Sequence, residues 1–214
     1  MLTELACTNQ DCTHNDILET IFISAEQDMH CVSLPSGLMS KVNEFLNNQQ
    51  FAAAIDFPYG LSISQVRLHE IILAIRQGAV FIDLVLNSSL IKENNWRKIK
   101  EDLKACLTVC RENNVELRPI VEYRLFSPKT VLLLCEILHD MNINHLINCT
   151  GSFPDDMDDN IIMCHDIQTK TGLLVTACSK LINKKYFKLF SSMGIHGIRF
   201  TSPKMAEIIL KNGV

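Results

Sequence analysis

"SISQVRLHEIILAIRQGAVFIDLVL", residues 62 to 86, sets a helix and a strand back to back. In its first part Val66, Leu68, Ile71, Ile72 and Ile75 recur at helical spacing, and Gly78 stands where a helix should end. Its second part, VFIDLVL (80–86), is a short apolar run rich in branched residues and reads as a buried strand. One acid, Asp83, interrupts that strand.

The same alternation extends in both directions. Strand-like runs occur at LTELACT (2–8), MHCVSL (29–34), FAAAIDF (51–57), VELRPIVEY (115–123), INHLIN (143–148), GLLVTA (172–177) and HGIRFT (196–201). With residues 80–86 they make eight. Helical patterns lie between them. NDILETIFISAEQ (15–27) is one, and NNWRKIKEDLKACLTVCRENN (94–114) is a long amphipathic one. SPKTVLLLCEILHDM (127–141) opens with Ser127 as N-cap and Pro128 at the first helical position. Strand–helix alternation repeated eight times predicts parallel strands joined by crossover helices. The expectation is an α/β fold, a (β/α)8 TIM barrel forming a compact single domain over 1–214, with a doubly wound open sheet as the rival.

Composition bounds the function classes. An apolar fraction of 47% supplies a substantial core, and a net charge of −4 gives no electrostatic case for nucleic acid or an anionic membrane. The basic run NKKYFK (183–188) reads as a solvated helix start. No apolar run approaches the roughly 18 to 20 residues needed to span a bilayer, and the chain opens without a signal-peptide pattern. Nine scattered cysteines, an odd count, suit reduced and mostly buried thiols, hence a cytoplasmic protein. The sequons at Asn87 and Asn148 are then chance matches. No metal or cofactor is expected. Cys7, Cys12 and His14 do not have the spacing of a familiar zinc site, and PDDMDDN (154–160) lacks the glycine and final glutamate of a calcium loop. Its acids suit a helix N-terminus. Oligomeric state is not legible, so a homo-oligomer stays open.

In such a barrel alternate strand residues point inward, and sites form at the C-terminal strand ends. Asp83 lies among apolar neighbours, while Arg118 and Glu122, four apart, fall on one side of a single run. Two readings stand beside each other. The three make a buried ion-pair network, or they form an acid/base and positioning cluster around a small anionic substrate. HLINCTGSFP (145–154) is a strand running into a turn at Thr150 and Gly151, whose backbone amides suit a phosphate. Its inward candidates are His145, Ile147 and Cys149. The first and last are about 13 Å apart along a strand, too far for a Cys–His couple.

DFPYGLS (56–62), followed by VRLHEIILAIRQGAVFIDLVLNSSLI and WRKIKEDLKACLTVCRENNVELRPIVEY, closely resembles the deoxyribose-phosphate aldolase family. CTGSF (149–153) stands where that family has a Lys-Thr-Ser-Thr-Gly strand end. The likeness runs from about residue 29 onward, with a weaker match over residues 3–17 and a diffuse one over the last forty. It implies a (β/α)8 barrel that cleaves deoxyribose 5-phosphate through a Schiff base on a sixth-strand lysine. A seventh-strand lysine holds that amine neutral, and a fourth-strand Asp assists proton transfer. By this resemblance Asp83 matches the Asp, Arg118 a basic position, and Glu122 a Glu. The two lysines fall on Ile147 and Thr176.

The implied phosphate site, Thr150, Gly151, Ser179, Lys180 and Ser202, also departs from the family. Ser179 and Lys180 replace paired glycines, and Phe200 is expected to crowd the open amides. An imine needs a primary amine, which Ile147 lacks. Two functions remain. One is a barrel that has lost aldol chemistry but binds a small phosphorylated or carboxylated metabolite. The other is an enzyme using Asp83, Glu122 and Arg118 for another proton transfer.

Overall fold

The structure, a computed structural model, describes residues 1–45 and 49–211. Its strands are β1 (Leu2–Ala6), β2 (Cys31–Pro35), β3 (Phe51–Ile55), β4 (Phe81–Val85), β5 (Glu116–Ile120), β6 (His145–Ile147), β7 (Leu174–Cys178) and β8 (Gly197–Phe200). All eight expected runs therefore carry a strand, each shorter than its apolar run. They pair in chain order, every pair parallel, and β8 returns to β1 to close the barrel. The open sheet is excluded by that last pairing, in which Glu4 sits opposite Arg199.

The helices are α1 (His14–Glu26), α2 (Ser64–Arg76), α3 (Ser88–Lys92), α4 (Trp96–Glu112), α5 (Pro128–Asp140), α6 (Met157–Thr171), α7 (Lys184–Ser192) and α8 (Pro203–Lys211). Two 3-10 segments, Ser36–Phe45 and Tyr123–Leu125, complete the chain. Local chemistry explains their starts. Thr13 and Asp16 form a reciprocal capping box on α1, and Ser127 accepts from the amide of Thr130 ahead of Pro128 on α5. Asp156 and Asn183 cap α6 and α7, so the acids of residues 154–160 and the basic run at 183–188 both sit at helix starts. Among the described residues no helix is long and apolar enough to cross a membrane.

The barrel wall separates two environments. Leu5, Val32, Leu34, Phe51, Ile55, Ile82, Leu84, Leu117, Leu146, Val175 and Ile198 face outward and join the helices in the main core. The alternate positions face the barrel axis, where Cys31, Ala52 and Phe81 form a small separate cluster around charged neighbours.

One connection matters for the site. The turn after β3 presses on the end of β4. A Cβ at Gly60, whose φ is +66°, would lie 2.7 Å from the carbonyl oxygen of Leu86. Asp56 accepts from the amide of Ser62 at 2.9 Å and from its hydroxyl at 2.8 Å. Buried Arg67 ties the same turn to α4 through Asp102 and to the carbonyl oxygen of Val85. The FPYG loop is thus fixed from both sides.

Candidate functional site

Four charged side chains meet on the barrel axis. Arg118 donates from Nε to Asp83 at 2.8 Å and from Nη1 to Glu4 at 2.6 Å. Arg199 donates to Glu4 from Nε at 2.9 Å and from Nη2 at 2.6 Å, and its Nη2 also lies 2.8 Å from Asp83. The Ser33 hydroxyl donates to Asp83 at 2.8 Å. Arg118 also reaches the Cys31 thiol at 3.7 Å and stands over the Phe81 ring, 4.3 Å from its centroid. β1 and β5 are opposite walls of an eight-stranded ring, so the Glu4–Arg118 pair crosses the full width of the barrel. The set carries two negative and two positive charges and is almost wholly buried.

Electrostatics follow from that closure. Burial opposes the charged form of Glu4, but Arg118 and Arg199 outweigh it and hold the carboxyl well below the usual range. Burial likewise opposes the charge on Arg118 and Arg199, and Asp83 with Glu4 overcomes it, leaving both guanidiniums more firmly protonated than usual. Burial pushes the Cys31 thiol up, so it is no thiolate. The thiols of Cys106, Cys110 and Cys135 are each raised to about 12 by burial and are equally inert.

Ile147 and Thr176 are neighbours across β6 and β7, and both are fully buried. Thr176 Oγ1 lies 2.8 Å from His145 Nε2, whose other ring nitrogen is 3.3 Å from Glu116. A Cβ on Gly197 would fall 2.7 Å from that threonine hydroxyl, so glycine is required opposite it. The His145 and His196 rings meet edge to face at 5.1 Å. Burial, helped by His145, holds the His196 imidazole below its ordinary value.

Glu122 does not join Asp83 and Arg118. The shared-face expectation fails because β5 ends at Ile120 and the chain turns into the 3-10 segment that Glu122 precedes. Glu122 accepts from the Thr150 amide at 2.8 Å and from the Thr150 hydroxyl. Burial raises its carboxyl above the ordinary value, against the two Thr150 bonds that lower it.

The five expected phosphate contacts are also dispersed. The Thr150 amide is taken by Glu122. The Ser179 hydroxyl accepts from Leu181, and that of Ser202 from Met205 at the start of α8. Gly151 is wedged at φ +73°, where a Cβ would meet Thr201 at 2.9 Å and the Cys178 sulfur at 3.0 Å. Lys180 alone of the five lines the open end of the barrel. The cavity there measures about 750 Å³. Loops after β1, β2, β3, β6 and β7 form it, through Asn9, Gln10, Asp11, Leu38, Phe57, Tyr59, Phe153 and Lys180 among others.

Two further expectations are corrected. Phe200 does not crowd the mouth. Strand alternation turns it outward, and it stacks on Phe187 of α7 with centroids 6.0 Å apart. Nor are all nine cysteines reduced, for Cys7 and Cys12 form a disulfide that closes the loop after β1. Among the described residues no group of three His, Cys, Asp or Glu is placed to hold a metal ion. Glu4 and Arg199 were missed as site residues. Each was visible as a lone charge in an otherwise apolar strand.

The closed parallel barrel with alternating helices defines a protein of the (β/α)8 barrel class. Solved structures share it. One described as QR15, an aldolase, superposes with a TM-score of 0.86 over 98% of this chain and 94% of its own, at 21% identity. The tetrameric deoxyribose phosphate aldolase of Aeropyrum pernix gives 0.87 over 99% and 90%, at 17% identity. Sequence makes the likeness more specific: the chain is similar to proteins named deoxyribose-phosphate aldolase, at 26–30% identity. The one from Histophilus somni (strain 2336) is 29% identical over 141 residues, 65% of this chain and 62% of that protein's length. The one from Mycoplasmopsis pulmonis is 26% identical over 185 residues, 84% and 81% of the two chains. The first of these matches thus spans less than two thirds of the relative, and no family model matches the chain.

Proposed function

We propose that this protein is a ligand-binding barrel of aldolase descent without Schiff-base chemistry, and that a small phosphorylated or carboxylated metabolite occupies its mouth. The observation that carries the reading is the pair Ile147 and Thr176, buried side by side where the resemblance puts two lysines. An imine forms when a neutral primary amine adds to a carbonyl carbon and water leaves, and neither side chain has a nitrogen. Lys180, on the cavity wall, is solvent-exposed and stands past the end of β7, away from the strand positions the resemblance gives the two lysines. The rival proton-transfer reading has less support. Asp83 and Arg118 are committed to each other and to Glu4 and Arg199, while Glu122 is turned to Thr150.

Borohydride treatment in the presence of deoxyribose 5-phosphate tests the reading. Hydride would reduce any imine to a stable secondary amine and leave the chain heavier by the sugar less one oxygen, since water leaves when the imine forms and two hydrogens are gained when it is reduced. Intact-mass spectrometry should show an unchanged protein. An adduct mapped to any lysine would overturn the claim that Schiff-base chemistry is lost.

A further inference from the structure

We propose that the mouth cavity takes a planar nitrogen heterocycle carrying an anionic group, rather than a bare sugar phosphate. The inference rests on the ligand-binding reading above and names the ligand class. Its starting point is the contact between Tyr59 and Phe153, whose ring centroids lie 6.1 Å apart with planes tilted by 53°. Tyr59 follows β3 and Phe153 follows β6, strands three places apart in a ring of eight, so the two rings meet across the mouth. They form an aromatic wall on the side of β4 and β5. No β4 or β5 residue lines the cavity, whereas the loops after β1, β2 and β7 do.

Both rings remain open to solvent, Tyr59 at 57% and Phe153 at 43%. Two aromatic faces tilted into a notch and left wet are a surface that a flat ring covers well. The Tyr59 side of the wall is held in place, because the FPYG loop is clamped by Asp56, Ser62 and Arg67. The rest of the lining supplies what a heterocycle with a charged tail needs. Lys180 offers a cation from the loop after β7. Asn9, Gln10 and Asp11 offer amide and carboxylate oxygens that accept from the N–H groups of a heterocycle or its amino substituent. A cavity of about 750 Å³ suits a ligand of drug-like size and leaves a five-carbon phosphate loosely held. Nothing below competes, because the charges on the barrel axis are paired among themselves.

Calorimetric titration of the full chain with adenosine 5′-monophosphate, ribose 5-phosphate and adenosine tests the assignment. The nucleotide should bind about tenfold or more tighter than ribose 5-phosphate, the gain that ring stacking supplies. Adenosine, which lacks the anion, should be weaker than the nucleotide. Replacing both rings, Tyr59→Ala with Phe153→Ala, should bring the nucleotide down to the affinity of the sugar phosphate and leave the latter unchanged. Lys180→Ala should weaken both anions alike. These side chains are exposed, and a circular dichroism spectrum matching wild type establishes that the variants fold. Equal affinity for the nucleotide and the sugar phosphate would overturn the heterocycle assignment and leave the ligand-binding reading standing. Silence for both anions would overturn both, while a borohydride adduct would remove only the claim of lost Schiff-base chemistry.

Discussion

The axis of the barrel and its mouth treat charge in opposite ways. On the axis Glu4, Asp83, Arg118 and Arg199 satisfy one another, with Ser33 and Cys31 taking up further contacts, and almost none of their surface meets water. At the mouth Lys180 and Asp11 sit beside exposed aromatic rings around an open cavity. The contrast teaches that polar residues inside a barrel are not in themselves a site. A buried guanidinium already donating to two carboxylates is poorly placed to take a substrate, and Glu4, held between two arginines, is a poor base because its proton affinity is low.

The largest effect should come from breaking the axial set. Arg118→Met removes the bonds to Glu4 and Asp83 and leaves two buried carboxylates on one arginine. Loss of one partner from a buried ion pair costs about 3–5 kcal/mol. The urea midpoint should fall accordingly, and a cost below about 1 kcal/mol would mean that the pairs contribute little beyond what a methionine restores.

Acid should attack the same set next. The folded carboxyl of Glu4 lies below its unfolded value of about 4.3, so its stabilising contribution is complete above that pH. It is lost progressively as pH falls from there toward the folded value. Urea midpoints followed from pH 7 down to pH 3 should therefore drop more steeply in the wild type than in Glu4→Gln. Parallel curves would show that other carboxylates dominate acid unfolding.

How much of this was legible beforehand differs by region. Every strand was legible, because apolar runs of strand length alternate with helical periods and need no tertiary information. The pairing of Asp83 with Arg118 follows once β4 and β5 are neighbours. The pairing of Glu4 with Arg199 does not, since 195 residues separate them and only closure of the ring joins β8 to β1. Phe200 was misread for want of that anchor: with Arg199 facing in, the next residue must face out. Glu122 was misread because a two-residue period was carried past the point where the strand ends. The disulfide has no signature in a five-residue spacing that equally suits two free thiols.

The mouth should be the quiet counterpart in stability. Lys180→Ala exchanges an exposed loop side chain, and surface changes of that kind stay within about 0.5 kcal/mol. Its urea midpoint should therefore match the wild type, while its affinity for anions falls. That combination, stability kept and binding lost, is the reverse of what Arg118→Met should do on the axis. If instead Lys180→Ala unfolded as readily as the axial variant, the mouth would be part of the scaffold, and the division between a charge-neutral axis and a ligand-facing rim would fail.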